Sequence, residues 1–114
     1  MDSLEQMQLA VKALVAKNAQ DIVVLDLRGL TIIADFFVIA TGSSTTNVRA
    51  LVDAVLDTMR TQQVRGVTPE GMDDLGWVLI DLKDVVVHVF NAEMRDFYQL
   101  ERLWADAPRV ILDL

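Results

Sequence analysis

The chain has no cysteine, one histidine, two prolines and five glycines among its 114 residues. Without cysteine there is neither a disulfide framework nor a thiolate nucleophile, and a single histidine cannot alone build a usual zinc site. No Gly/Ser-rich linker and no internal repeat divide the sequence, and 53% of the residues are hydrophobic. This composition predicts a single domain over residues 1–114 with one core.

Positive charge is also scarce, because 10 Lys and Arg face 17 Asp and Glu to give a net charge of -7. An acidic chain is poorly suited to broad contact with a nucleic-acid backbone and is better suited to a basic protein partner. No apolar run approaches the roughly 20 residues that span a bilayer, and acidic residues stand where a signal peptide would be basic. We therefore expect a cytoplasmic protein without membrane contact.

Apolar periodicity predicts the element order α-β-β-α-β-β-β-α, a mixed α/β sheet of about five strands flanked by helices. The predicted strands are residues 22–27, 36–41, 65–67, 76–82 and 85–90, the last two joined as a hairpin through Lys83-Asp84. The first helix is predicted from an N-cap at Ser3 to Asn18. The second helix follows the turn at residues 42–46.

A closing helix is predicted after Asn91, whose side chain can cap it. Apolar and other long side chains recur in it at helical spacing: Met94, Phe97, Leu100, Glu101 and Trp104. Pro108 lies past its predicted end.

Candidates for catalysis are few. His88 could serve as a base, and Ser43 or Ser44 could complete a triad, but no spacing assembles one and no Gly-x-Ser-x-Gly turn is present. A histidine within an apolar strand more often has a hydrogen-bonded structural role. The sequence therefore predicts no catalytic residue.

The Gly42-Ser43-Ser44 turn lies between a strand and a helix, where backbone N–H groups can bind a phosphate. It lacks the P-loop and dinucleotide-binding patterns, so helix capping is the preferred interpretation. A nucleotidyltransferase would need an acidic pair on a neighbouring strand to bind magnesium. Asp53 and Asp57 lie on the predicted helix instead, so the sequence predicts no metal site.

The strand at residues 76–82 is apolar on both faces, because Trp77 and Leu79 alternate with aliphatic residues. Two interpretations stay open. Helices cover both faces and Trp77 belongs to the core, or one face contacts a partner and Trp77 anchors the contact.

A series of ordered motifs resembles the ribosomal silencing factor family, also called Iojap-like, over roughly residues 4 to 106. The motifs are Asp35-Phe36-Phe37-Val38-Ile39-Ala40-Thr41-Gly42-x-Ser44, Glu70-Gly71, Trp77-Val78-Leu79-Ile80-Asp81, Asp84-Val85-Val86-Val87-His88-Val89-Phe90 and Arg95-x-Phe97-Tyr98-x-Leu100-Glu101-x-Leu103-Trp104.

The resemblance implies a translational repressor without enzymatic activity or cofactor. It binds the large ribosomal subunit through ribosomal protein number fourteen at the intersubunit face, and so blocks joining of the small subunit. The implied fold is nucleotidyltransferase-like without catalytic acids, and the free protein is expected to form a homodimer. The family pattern places the partner contact at Trp77, Leu79, Asp81, Lys83 and Asp84, although the position of Lys83 is frequently Gly in the family.

Overall fold

A five-stranded sheet forms the centre of the computed structural model, which describes residues 1–114. Its strands are β1 (Gln20–Asp26), β2 (Phe36–Gly42), β3 (Pro69–Glu70), β4 (Trp77–Asp81) and β5 (Val85–Asn91). They lie in the order β1-β2-β5-β4-β3, with β2 and β5 parallel and the other neighbours antiparallel. The mixed α/β sheet predicted from the sequence is confirmed.

Helices cover the two faces of the sheet unequally. The long helices α1 (Ser3–Ala16) and α2 (Thr45–Thr61) pack on the first face in the larger of two hydrophobic clusters. The short helices α3 (Ala92–Tyr98) and α4 (Leu100–Leu103) follow β5, and Leu100 belongs to the smaller cluster on the second face. None of the four combines the length and the apolar character that crossing a bilayer requires. The second face of the sheet is therefore covered by shorter helices than the first.

Side chains cap the N-termini of α1 and α3. Asp2, rather than the predicted Ser3, caps α1, because its carboxylate accepts from the backbone N–H of Glu5 at 2.8 Å. The Ser3 hydroxyl instead donates to Asp35 at 2.7 Å. Asn91 caps α3 as predicted.

The prediction of a short strand at residues 65–67 is wrong. Gly66 has a φ of 75°, so the chain turns there, and pairing with β4 begins only at Pro69. A proline can occupy this position because β3 is the edge strand, where one side of the backbone needs no donor. The position of a short edge strand depends on its partner rather than on its own composition.

The prediction of one closing helix is also wrong, because Gln99 interrupts it. Gln99 has a φ of 46° and a ψ of 54°, the left-handed conformation, which costs a residue with a side chain about 1–2 kcal/mol. As a result Phe97 and Leu103 are 73% and 76% exposed, whereas Leu100 is buried. The apolar residues of this segment do not form one buried stripe.

Candidate partner-binding surface

β4 presents three of the predicted contact residues in a line on the second face of the sheet. Trp77 and Leu79 are half-buried and Asp81 is exposed, whereas Val78 and Ile80 between them are buried under the first-face helices. The alternation follows from strand geometry. The helices thus cover one face of β4 fully and leave the other partly open. Trp77 is therefore neither a fully buried core residue nor a fully exposed contact residue.

The hairpin tip extends this line through Lys83 and Asp84, which are both exposed. Leu82 N–H donates to the Val85 carbonyl at 2.8 Å, and Lys83 N–H donates to the Asp81 carboxylate at 2.7 Å. Lys83 has a φ of 78°, a conformation that favours glycine, which gives a backbone reason for glycine at this position. We use the name docking surface for Trp77, Leu79, Asp81, Lys83 and Asp84, the residues predicted from the sequence to contact a partner.

The Trp77 indole is fixed by contacts on several sides. It stacks on Phe90 with ring centroids 5.1 Å apart, and Tyr98 lies against it with centroids 4.7 Å apart. Its Nε1–H donates to His88 Nδ1 at 3.1 Å. An aromatic side chain that is held in one orientation and partly exposed can bind a partner with little loss of side-chain entropy.

Tyr98 is a neighbour of the docking surface that sequence reasoning did not assign. It is 46% exposed and ends α3, beside the interruption at Gln99. The sequence feature that could have pointed to Tyr98 is its place in the Arg95-x-Phe97-Tyr98 motif. Its contact with Trp77 depends on how α3 folds back over the sheet, which local sequence does not specify.

Gly71 allows the chain to pass close to the backbone of Trp77. A Cβ at this position would lie 2.2 Å from the Trp77 carbonyl oxygen, and the φ of Gly71 is 96°. Any side chain here would displace the start of β4. This explains in physical terms the Glu70-Gly71 motif, whose role the sequence did not reveal.

His88 lies under Trp77 with 3% of its surface exposed. Burial lowers the pKa of His88 from 6.5 to about 4, so its imidazole is neutral near pH 7. Nδ1 accepts the Trp77 hydrogen bond, so the ring proton resides on Nε2, which is buried without a partner. No hydrogen bond joins His88 to Ser43 or Ser44, and the bond from Trp77 agrees with the prediction that His88 is hydrogen-bonded within the sheet.

The turn after β2 uses its polar groups to start α2. Ser44 Oγ accepts from Asn47 N–H at 3.0 Å, and the Asn47 side chain accepts from Ser43 N–H at 2.9 Å. Two N–H groups that could face a phosphate are therefore already bonded. Gly42 is needed for packing, because a Cβ there would lie 2.5 Å from Cγ2 of Val48. The geometry favours capping, as predicted.

Replacing Ser44 with alanine is expected to lower the free energy of unfolding by about 1 kcal/mol, since an N-cap side chain is lost. Ser43→Ala is the matched control, because its hydroxyl makes no hydrogen bond within the protein. Urea unfolding of both variants gives the difference. Equal stability of the two would contradict the capping assignment.

The acidic residues of α2 do not form a metal centre. Asp53 and Asp57 are exposed, and Asp57 pairs with Arg60 at 2.7 Å. Nowhere in the chain do three or more His, Asp or Glu side chains converge to hold a metal ion. The strand-borne acidic pair of a metal-dependent nucleotidyltransferase has no counterpart at this turn.

Comparisons with known proteins match one family along the whole chain. The sequence model of the family described as ribosomal silencing factor during starvation matches residues 1–114. The ribosomal silencing factors of Halalkalibacterium halodurans and Bacillus subtilis are 43% and 40% identical to this chain over 113 residues, covering 99% of it and 97% and 96% of their own lengths.

A solved structure shows the same fold. A crystal structure of a protein from Chromobacterium violaceum superposes with a TM-score of 0.88 at 34% identity, covering 100% of this chain and 94% of the other. The likeness thus extends from the sequence motifs to the arrangement of all the elements around the docking surface.

Proposed function

The chain belongs to the ribosomal silencing factor family, and on that premise we propose that it represses translation by binding the large ribosomal subunit at the face that meets the small subunit. The proposed partner there is ribosomal protein number fourteen of the large subunit. The observation that carries the proposal is the partly exposed Trp77, which His88, Phe90 and Tyr98 fix at the start of a line of half-buried and exposed residues.

The composition of the docking surface suits a protein partner. Buried aromatic side chains contribute most to the affinity of protein interfaces, and Trp77 with Leu79 supplies such a centre. Asp81 and Asp84 are exposed beside them, in a chain of net charge -7. Charges at the rim of an interface mainly raise the association rate and the specificity, which fits a contact within the basic environment of ribosomal proteins.

The proposed mechanism is steric and needs no catalytic group, metal or cofactor. The protein measures 35 × 34 × 26 Å along its principal axes. Docked macromolecular surfaces approach to van der Waals contact and leave room for individual water molecules only. A rigid domain of this size on the intersubunit face would therefore prevent the small subunit from docking.

Two further parts of the proposal concern the free protein. We place it in the cytoplasm, where it meets its ribosomal partner. The homodimer implied for the free state stays a prediction, which sedimentation equilibrium can test against the monomer mass of 12.7 kDa.

Co-sedimentation with purified subunits tests the partner. We expect the protein to pellet with large subunits and not with small subunits. The double variant Asp81→Asn/Asp84→Asn should bind more slowly and with weaker salt dependence, because it loses rim charge. The matched control is Asp53→Asn/Asp57→Asn, which removes the same charge from α2 on the other side of the sheet. Absence of the protein from the large-subunit pellet would rule the proposal out.

A further inference from the structure

Arg95 connects three separate elements beside the docking surface. Its Nη1 donates to the Thr41 hydroxyl at the end of β2 at 2.8 Å. Its Nε and Nη2 donate to the two carboxylate oxygens of Glu101 in α4, each at 3.3 Å. The Arg95 side chain is only 13% exposed. A planar guanidinium suits this forked arrangement, which an ammonium group could not reproduce.

The Arg95–Glu101 pair spans the interruption between α3 and α4. Gln99 adopts the left-handed conformation there, and its side chain makes no capping hydrogen bond. Its backbone N–H donates to the Arg95 carbonyl at 3.1 Å. Gln99 is the one residue of this segment with a positive φ. The Arg95 carbonyl therefore bonds to Gln99 itself, and the Arg95 side chain bonds to Glu101 beyond it.

The same interruption sets where Tyr98 lies. Tyr98 immediately precedes Gln99 and packs on Trp77, whereas Leu100 immediately follows it and is buried in the second-face cluster. Thr41 is on the second face as well, in register with Phe90, which in turn pairs with Trp77. The bond from Arg95 to Thr41 thus attaches the interrupted helix to the row of the sheet that carries the Trp77 indole.

We infer that Arg95 is a positioning residue for the docking surface: its bonds to Glu101 and Thr41 hold α3 and α4 so that Tyr98 stays against Trp77. Tyr98 and Trp77 then present one continuous aromatic surface to the partner. The effect on partner binding rests on the proposed function, whereas the effect on the Tyr98–Trp77 contact does not.

The contact itself is tested in the free protein by proton NMR. Wild type is expected to show nuclear Overhauser effects between the Tyr98 and Trp77 rings, and Arg95→Met is expected to lose them while keeping its far-UV circular dichroism. Arg60→Met, which breaks an exposed ion pair on α2, should retain them. Undiminished ring-to-ring effects in Arg95→Met would overturn the inference whatever the protein binds. If Arg95→Met does not fold, Thr41→Val and Glu101→Gln provide the same measurement with smaller changes.

The consequence for binding is tested by a double-mutant cycle with isolated large subunits. Arg95→Met is expected to weaken binding about tenfold in the wild-type background and not at all in the Tyr98→Ala background, because Arg95 acts through Tyr98. A merely structural role would add its effect in both backgrounds, and additive effects would refute the inference. Absence of wild-type binding would instead refute the proposed function and leave the NMR result to decide on Arg95.

Discussion

Replacing Trp77 with alanine is expected to weaken binding to the large subunit by about 30-fold, or about 2 kcal/mol, while the chain remains folded. The indole is the largest side chain of the docking surface, and its stacking on Phe90 and its bond to His88 hold it ready for contact. Co-sedimentation at increasing concentrations of large subunits gives the dissociation constants. Circular dichroism of the variant shows whether the fold is retained.

Two further variants separate contact from packing at this position. Trp77→Phe retains an aromatic ring but has a smaller surface and loses the N–H that bonds to His88, so it should bind more weakly than wild type and more tightly than Trp77→Ala. Leu56→Ala truncates a half-buried residue that packs against the first-face core, and it should lower stability without changing affinity. Unchanged affinity of a folded Trp77→Ala variant would remove Trp77 from the interface.

Acidification is expected to destabilise the protein through His88. The pKa of His88 is about 4 in the folded state because of burial, against an ordinary value of 6.5. The unfolded chain therefore binds more protons than the folded chain between these values, so the free energy of unfolding falls as pH decreases through this window. The loss is about 3 kcal/mol at pH 4, and the contribution is fully present above pH 6.5.

His88→Gln isolates this contribution. Urea unfolding of wild type and variant at pH 7, 5.5 and 4 should show a difference that shifts by about 3 kcal/mol in favour of the variant as pH falls. At pH 7 the folded variant should still inhibit subunit joining, because the proposed mechanism is steric and assigns His88 only the support of Trp77. Parallel pH profiles would contradict the buried neutral histidine, and loss of inhibition without loss of binding would reopen a catalytic role.

Four of the five strands were predictable from the sequence because their signals are local, and β3 was the exception. Runs of β-branched residues define β2 and β5, and alternation along β4 shows which side chains share a face. The hairpin followed from the spacing around Lys83-Asp84, and its register places Trp77 opposite Phe90. The line from Trp77 to Asp84 was thus available without a structure.

The interruption at Gln99 was not predictable, because no glycine or proline marks it. The contacts that surround it join residues apart in sequence: Arg95 bonds to Glu101 across the break and to Thr41 in a distant strand. The same holds for Tyr98, which is far from Trp77 in sequence and reaches it only through this fold-back. Residues that sit at a site because of long-range contacts give no periodic signal.

An order-of-addition experiment tests the steric mechanism most directly. Light scattering follows the joining of small subunits to large subunits that have first been incubated with the protein. The steric mechanism predicts that joining is blocked in proportion to the large subunits occupied, with the protein sedimenting on free large subunits and not on assembled ribosomes. Normal joining while the protein stays bound to the assembled ribosome would contradict it.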